Sequence, residues 1–217
     1  DETAMRKLAI KYLGGTRLGR DFAKAKALIE TVLEKNPEDV YASRLLARMY
    51  RDGIGTAENA ELSKKWYLSP IGMLNRKAES EDVNKMDDLA DYYKNGWGVE
   101  KDLKRAIELY EKPASTGIAA SMSSLNNIYR FNAKGKEDIA KADEWARRYI
   151  ERQTQKGGGA ARGVADSCVG VGNYYRYGYG VEANPVVAYE WFTRAADKKS
   201  WGAMLKLASM CRAGEGC

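Results

Sequence analysis

No histidine occurs anywhere in the 217 residues. The side chain that most readily exchanges protons near neutral pH is therefore missing. Ser-His and Cys-His nucleophile pairs and every His-containing zinc site go with it. Cysteine is scarce: Cys168, Cys211 and Cys217 are the only three, and no two form a C-x-x-C pair. No metal ligand set is expected. Long hydrophobic runs are absent too. The longest span only a few residues, against about 20 for a bilayer crossing, so no transmembrane helix is expected. The chain opens on Asp1 with no charged-then-apolar leader behind it, which reads as a processed or trimmed chain and leaves targeting open.

Blocks of like charge are also lacking. Lys and Arg total 36 against 30 Asp and Glu, giving +6 and a pI of about 9.0. Yet the signs alternate, as in Lys101-Asp102-Leu103-Lys104-Arg105 and Lys136-Glu137-Asp138. A nucleic-acid binder shows a dense basic block or stripe, so no nucleic-acid partner is expected. The modest surplus suits solubility and acidic partners. Asp87-Asp88 with Asp91 form the one acidic cluster that invites a catalytic reading. Carboxylates of this chain fall in helix caps and solvated helix faces, so the cluster is assigned no chemistry. Enzyme is the weakest class, and no cofactor is expected.

What is present is a repeat. Leu89-Ala90-Asp91-Tyr92-Tyr93-Lys94-Asn95-Gly96-Trp97-Gly98-Val99 returns at Leu46 to Gly55, at Val171 to Val181 and, degraded, at Leu207 to Cys217. A phrase recurring every few tens of residues denotes stacked supersecondary units. Anchored on an aromatic slot, the repeats align at Tyr12, Tyr50, Tyr93, Tyr129 and Tyr175, with Cys211 in the last. Leu8-Ala9, Leu46-Ala47, Leu89-Ala90, Leu125-Asn126, Val171-Gly172 and Leu207-Ala208 stand four and three positions earlier. Large, small and aromatic at i, i+1 and i+4 mark one stripe of a helix, here called helix A. The glycines of Gly53-Ile54-Gly55, Gly96-Trp97-Gly98 and Gly178-Tyr179-Gly180 end it. This G-x-G follows no strand, so it is a turn and not a dinucleotide fingerprint. Asp21, Asn59, Asp102, Asp138 and Asn184, the last followed by Pro185, are expected to cap a second helix, helix B. Ser63/Trp66, Ala106/Leu109, Ala142/Trp145 and Ala188/Trp191 continue the helical spacing there.

The pattern L-A-x-x-Y-x-x-G-x-G-V, a capping residue, A-x-x-W/L and a closing A-A resembles the Sel-1-like repeat family, a relative of the tetratricopeptide repeats. Ala188-Tyr189-Glu190-Trp191-Phe192 through Ala195-Ala196 matches especially well. The resemblance implies an all-α fold, an α/α superhelical solenoid of about five and a half helix-turn-helix repeats. It is read as a single repeat domain with units at 1–37, 38–80, 81–117, 118–159, 160–199 and a partial 200–217. The first unit departs with Gly14-Gly15 and a longer Thr16-to-Arg20 loop. The fourth has Asn132-Ala133-Lys134-Gly135 in place of G-x-G. Extra segments lengthen the period at Gly72–Asp82 and through Gly157–Ala161, and the glycine run is expected to be a flexible loop. Pro70 and Pro113 share a helix B slot and should kink or stop their helices.

In the tetratricopeptide arrangement helix A lines a concave wall, with positions nine, six and two before the aromatic slot and one after it facing the groove. The last of these reads Leu13, Arg51, Lys94, Arg130, Arg176 and Arg212 down the chain. Arg44 and Arg48 add to Arg51, while Asn84, Asp87 and Asp91 answer in the third repeat, and Asn127 and Asn173 follow in the fourth and fifth. Cations also suit helix C-termini without any partner. The sharper reading is a groove for an acidic loop, helix or tail of another protein, gripped by forked arginine bonds. Tyr92, Trp97, Tyr174, Tyr177 and Tyr179 are either anchors for such a partner or packing between helix pairs. Cys168 reads as a small apolar core residue. Cys211 and Cys217 flank a Gly-rich turn and either close a small loop in an oxidising compartment or stay two thiols. The family's disulfides bridge helix A to helix B, and no helix B follows Cys211.

The resemblance implies a non-enzymatic protein-binding module of adaptor type, and bacterial members of the family are often exported, so a periplasmic or otherwise extracytoplasmic location is expected; a cytoplasmic location stays open. A toxin-neutralising immunity role against a phospholipase-type effector is the favoured specific case, with envelope scaffold or host-contact protein as the alternative. The final helix is a cap, an internal edge or a contact surface, giving a monomer or weak self-association.

Overall fold

The computed structural model describes residues 1–15, 19–155, 158–160 and 164–216. Among them are twelve α-helices and no strand. In chain order these are α1 (Glu2–Gly14), α2 (Phe22–Lys35), α3 (Val40–Asp52), α4 (Ala60–Leu68), α5 (Ile71–Glu79), α6 (Val83–Asn95), α7 (Leu103–Ser115), α8 (Ala119–Phe131), α9 (Lys136–Thr154), α10 (Ala165–Tyr177), α11 (Pro185–Asp197) and α12 (Trp201–Ala213). They gather into two compact bodies, Asp1–Leu109 and Tyr110–Cys217.

Helix A and helix B of a repeat pack directly on each other: α1 on α2, α3 on α4, α8 on α9 and α10 on α11. The small slot makes this close approach possible. Ala9, Ala47 and Ala90 are fully buried, and Gly172 would place a Cβ 2.7 Å from the Phe192 ring. The N-terminal body is centred on Ala9, Ala25, Ile29, Val32, Leu33, Ala42, Leu45, Leu46 and Met49. The C-terminal body buries Leu125, Ala142, Ala146, Val171 and Phe192. Burial of this kind contributes about 25 cal/mol per Å² of apolar surface and is what holds the pairs together.

The turns follow from the glycines. Gly53, Gly96, Gly178 and Gly214 cap their helices at φ of 64 to 70°, a region that costs other residues a Cβ clash. The second glycine of each turn does more than bend the chain. A Cβ on Gly55 would lie 2.3 Å from Phe22 of α2, on Gly180 2.4 Å from the Asp143 carbonyl of α9, and on Gly216 2.4 Å from the Pro185 carbonyl of α11. Each turn therefore rests on helix B of the preceding repeat. Asp21, Asn59, Asp102 and Asn184 accept from the third residue of helix B at 2.8 to 3.1 Å, as N-caps do.

Three expectations need correcting, and the extra segment after α4 gains a structure. The cap of α9 is Gly135, not Asp138; without G-x-G the turn is shorter, and Asp138 accepts from the Lys134 N–H at 2.8 Å from inside the first turn. The Gly72–Asp82 insertion is mostly a helix of its own, α5. Pro70 does end a helix, standing at the N-cap of α5, but α7 runs through Pro113 to Ser115. Gly158–Ala160 is packed, not free: a Cβ on Gly158 would meet the Arg152 carbonyl at 2.3 Å, and Ala160 is buried. Residues 156, 157 and 161–163 of that run lie outside the described residues.

Candidate functional site

In the N-terminal body, α3 carries Arg44, Arg48 and Arg51 one turn apart, and all three line one cleft of about 330 Å³ with Tyr41, Leu45, Tyr67 and Trp97. The aromatic wall is built from the turn after α6. The Trp97 ring stacks on Tyr67 at 5.8 Å and meets the edge of Tyr92 at 5.7 Å. Arg44 lies 5.1 Å from the Trp97 ring centre and 5.8 Å from that of Tyr41, a cation–π placement. Arg51 grips Asp52 through two bonds of 2.7 and 3.1 Å and donates to the Tyr67 hydroxyl at 3.4 Å. Its hydrogen bonds hold the Asp52 carboxyl below its usual range. Burial raises the Tyr67 hydroxyl above its ordinary value, so it stays a neutral donor and acceptor. Arg48 is exposed and forms no ion pair among the described residues.

The acidic residues of α6 are neutralised within the same body. Asp91 takes Lys94 at 2.5 Å and Arg44 at 3.5 Å, and Asp88 takes Lys85 at 2.9 Å. Asp87 is half-buried beside them and engaged in an interaction of its own. Asn84 lies exposed near the start of α6.

In the C-terminal body two of the three cations one position after the aromatic slot, Arg130 and Arg176, are turned to internal use. Arg130 binds Asp143 of α9 and lies 4.1 Å from the centre of the Tyr179 ring. Asp143 also accepts from the Gly180 N–H at 3.0 Å. Arg176 holds Glu215 at 2.9 Å. Only 14% and 13% of these two arginine side chains is exposed. Their partners share a location, since Tyr179 and Glu215 are the residues between the two glycines of the next repeat's turn. Leu13 and Ile54, in the same two positions of the first and second repeats, both pack on the apolar core. Arg212 is exposed at the end of α12.

The asparagines go elsewhere. Asn127 and Asn173 line a second cleft of about 270 Å³, with Asn126, Phe131, Tyr149, Tyr174, Tyr177, Tyr179 and Lys206 among its walls. Tyr149, 8% exposed, has its hydroxyl pushed up to about 12 by loss of hydration. Most of the turn aromatics pack between helices: Tyr174 contacts Tyr149 at 5.0 Å and Tyr179 at 6.1 Å. Tyr177 remains half exposed. Cys168 is buried, and burial raises its thiol above the ordinary value. Cys211 is exposed, and its suggested link to Cys217 falls outside the described residues.

Tyr67, Phe131 and Lys206 fall outside the groove positions read from the sequence, while Tyr41 occupies the one nine before Tyr50. Tyr67 follows the Trp66 slot by one residue, and this next-residue register on helix B is the signal that marks it as facing the following turn. No group of three or more His, Cys, Asp or Glu suited to a metal occurs among the described residues. None of the described helices is long and apolar enough to cross a membrane.

The Sel1 repeat family model matches residues 3–30, 40–69, 86–115 and 165–200. Among curated proteins, chitin synthase regulatory factor 3 of Schizosaccharomyces pombe is 26% identical over 225 residues, covering 88% of this chain and 23% of that protein. The exopolysaccharide production negative regulator of Rhizobium meliloti is 34% identical over 127 residues, covering 55% of this chain and 46% of that one. The chain thus spans less than half the length of either. Among solved structures, immunity protein Pa5087 of Pseudomonas aeruginosa superposes with a TM-score of 0.55 at 19% identity, covering 93% of this chain and 67% of that one. The protective antigen c5321 of uropathogenic Escherichia coli, which displays an SLR fold, gives 0.51 at 20% identity, covering 98% and 50%. At such identities the two structures speak to the fold alone.

Proposed function

This chain belongs to the Sel1 repeat family, whose helical repeats mediate protein–protein interaction, and we propose that its arginine-lined cleft receives an acidic segment of a partner protein without catalysing a reaction. One observation carries the reading: Arg44, Arg48 and Arg51 converge on a cleft with an aromatic wall, while the nearby Asp52 and Asp91 are already paired. The guanidinium of Arg48 is left to fork onto an incoming carboxylate, and Trp97 with Tyr41 offers a flat surface for an aromatic or aliphatic neighbour of that carboxylate. The curated relatives are named as regulators, not enzymes, which supports a role exerted through binding.

Titration with a fluorescent decapeptide rich in Asp and Glu and bearing one Phe tests this. Reversal of Arg48 and Arg51 to Glu should weaken binding by at least about tenfold, equivalent to about 1.4 kcal/mol. Unchanged affinity would remove this face from consideration. Of the specific roles, the one we favour is toxin neutralisation by an exported immunity protein acting on a phospholipase-type effector. It is supported by the resemblance and by the fold likeness to Pa5087. A stoichiometric complex that silences one hydrolytic effector is its expected outcome, with the protein recovered from the periplasmic fraction. The names of the two curated relatives favour a second reading, a regulatory scaffold of the cell envelope. That reading predicts binding to a polysaccharide-producing assembly and no effect on a phospholipase.

A further inference from the structure

We propose that the second cleft, in the C-terminal body, binds a neutral, hydroxyl-rich saccharide segment. Its chemistry differs from that of the arginine cleft, and the inference does not depend on that one. The argument starts from Asn126, a fully buried side chain in α8. Its Nδ2 donates to the Ala142 carbonyl at 2.8 Å, which fixes the amide plane and leaves Oδ1 without a donor. Asn173, on the next helix A and in the same cleft, also has a buried Oδ1 without a donor. Buried carboxamide oxygens of native proteins are normally satisfied, and an orphan calls for an explanation. Gln153 Oε1 is orphaned as well, but here two such oxygens belong to residues in the walls of one cleft, and a ligand that supplies O–H or N–H groups would satisfy them.

The remaining walls narrow the class. Asn127 adds a third amide, and Lys206 is the single charged residue; none of the lining residues is a carboxylate. A cationic ligand would meet no counter-charge, and an extended acidic segment would find one cation where the other cleft concentrates three. At the rim stand Phe131 and Tyr177, 71% and 51% exposed; Tyr177 is flanked by Tyr179 and by the Arg176 guanidinium, each 5.6 Å away, and Phe131 offers an exposed aromatic face. A sugar ring matches this combination. Its hydroxyls donate and accept at once, as the amides do, and its C–H face is apolar enough to lie on an aromatic ring. The volume of about 270 Å³ fits a compact ring or two, not a long extended peptide.

The test is nuclear magnetic resonance of the full chain, following the side-chain amide signals of Asn127 and Asn173. The probes are β-linked tetramers of glucose, galactose and N-acetylglucosamine, with a neutral Gly-Ser peptide of similar length alongside. At least one tetramer should shift both signals saturably, with a Kd on the order of 0.1–1 mM. Asn173→Ala and Tyr177→Ala should each weaken it about tenfold, or about 1.4 kcal/mol. Asn173 Oδ1 is unpaired, whereas Tyr177 also packs against Tyr179 and Arg176, so circular dichroism is used to check that each variant keeps the parent fold. Reversal of Arg48 and Arg51 should leave the saccharide Kd unchanged, so that failure of the acidic-segment reading is seen separately. The proposal is overturned if no tetramer shifts the signals, if both variants bind as the parent does, or if only the peptide binds.

Discussion

Two positions in each turn carry constraints of different kinds. The second glycine is held by contact with helix B of the preceding repeat, so its substitution strains backbone and packing together. Gly180→Ala places a Cβ 2.4 Å from the Asp143 carbonyl at φ 71°. It should cost about 2–4 kcal/mol in urea denaturation. Gly202→Ala is the control: nothing lies within 4 Å of the new Cβ, and in the first turn of α12 the gain should stay below the roughly 0.5–1 kcal/mol of a helix interior. Tyrosine supplies a residue-scale effect of pH. Desolvation holds the Tyr149 hydroxyl at about 12, above its unfolded value of about 10. The neutral form is the one the fold favours, so this contribution is whole below pH about 10 and is lost as pH rises toward about 12. Burial raises Tyr92 in the same sense. Stability should therefore fall steeply across that alkaline window. Tyr149→Phe should flatten the fall, and a profile identical to the parent's would mean another group is responsible.

Between helices, the shared carboxylate is the device that matters. Asp39 caps α3 through the Ala42 N–H at 2.8 Å and binds Arg6 of α1 at 2.6 Å, with its own side chain only 4% exposed. Asp39→Ala removes the cap and an ionic bond together, an expected loss of about 2–4 kcal/mol by thermal or chemical denaturation. Asp39→Asn keeps an acceptor for the cap and should lose less. Helix pairs were legible because large, small and aromatic residues recur at fixed spacing, and the caps at Asp21, Asn59, Asp102 and Asn184 because their side chains act on the nearest backbone. The insertion helix α5 was not: Ile71, Met73 and Leu74 sit outside the repeat register. At Pro113 local propensity opposes the helix, yet the packed side chains of Ala106, Leu109, Tyr110 and Ala114 hold it through.

For the molecule as a whole, net charge sets how partners arrive. With +6 overall and three arginines in one cleft, association with an acidic partner should be electrostatically steered. Stopped-flow rates should drop by about tenfold or more from low to physiological salt. A salt-independent rate would mean that the cleft does not guide the encounter. Legibility here is uneven. The arginines of α3 share a face, so spacing alone brought them together. Lys94, Arg130 and Arg176 look the same in sequence, but their side chains end on Asp91, Asp143 and Glu215. Lys94 is spent on its own helix, Arg130 on helix B of its own repeat and Arg176 on a residue one repeat away, and no period reveals which. The asparagine cleft depends likewise on Lys206 from a later helix.

The amino acid between two turn glycines matches what the previous module sends toward it: Ile54 and Leu13 share the oily core, Tyr179 meets the flat guanidinium of Arg130 and Glu215 the charge of Arg176. Such matching works as an address. Modules of this protein cannot be shuffled, duplicated or grafted freely, because a transplanted one would greet the wrong neighbour.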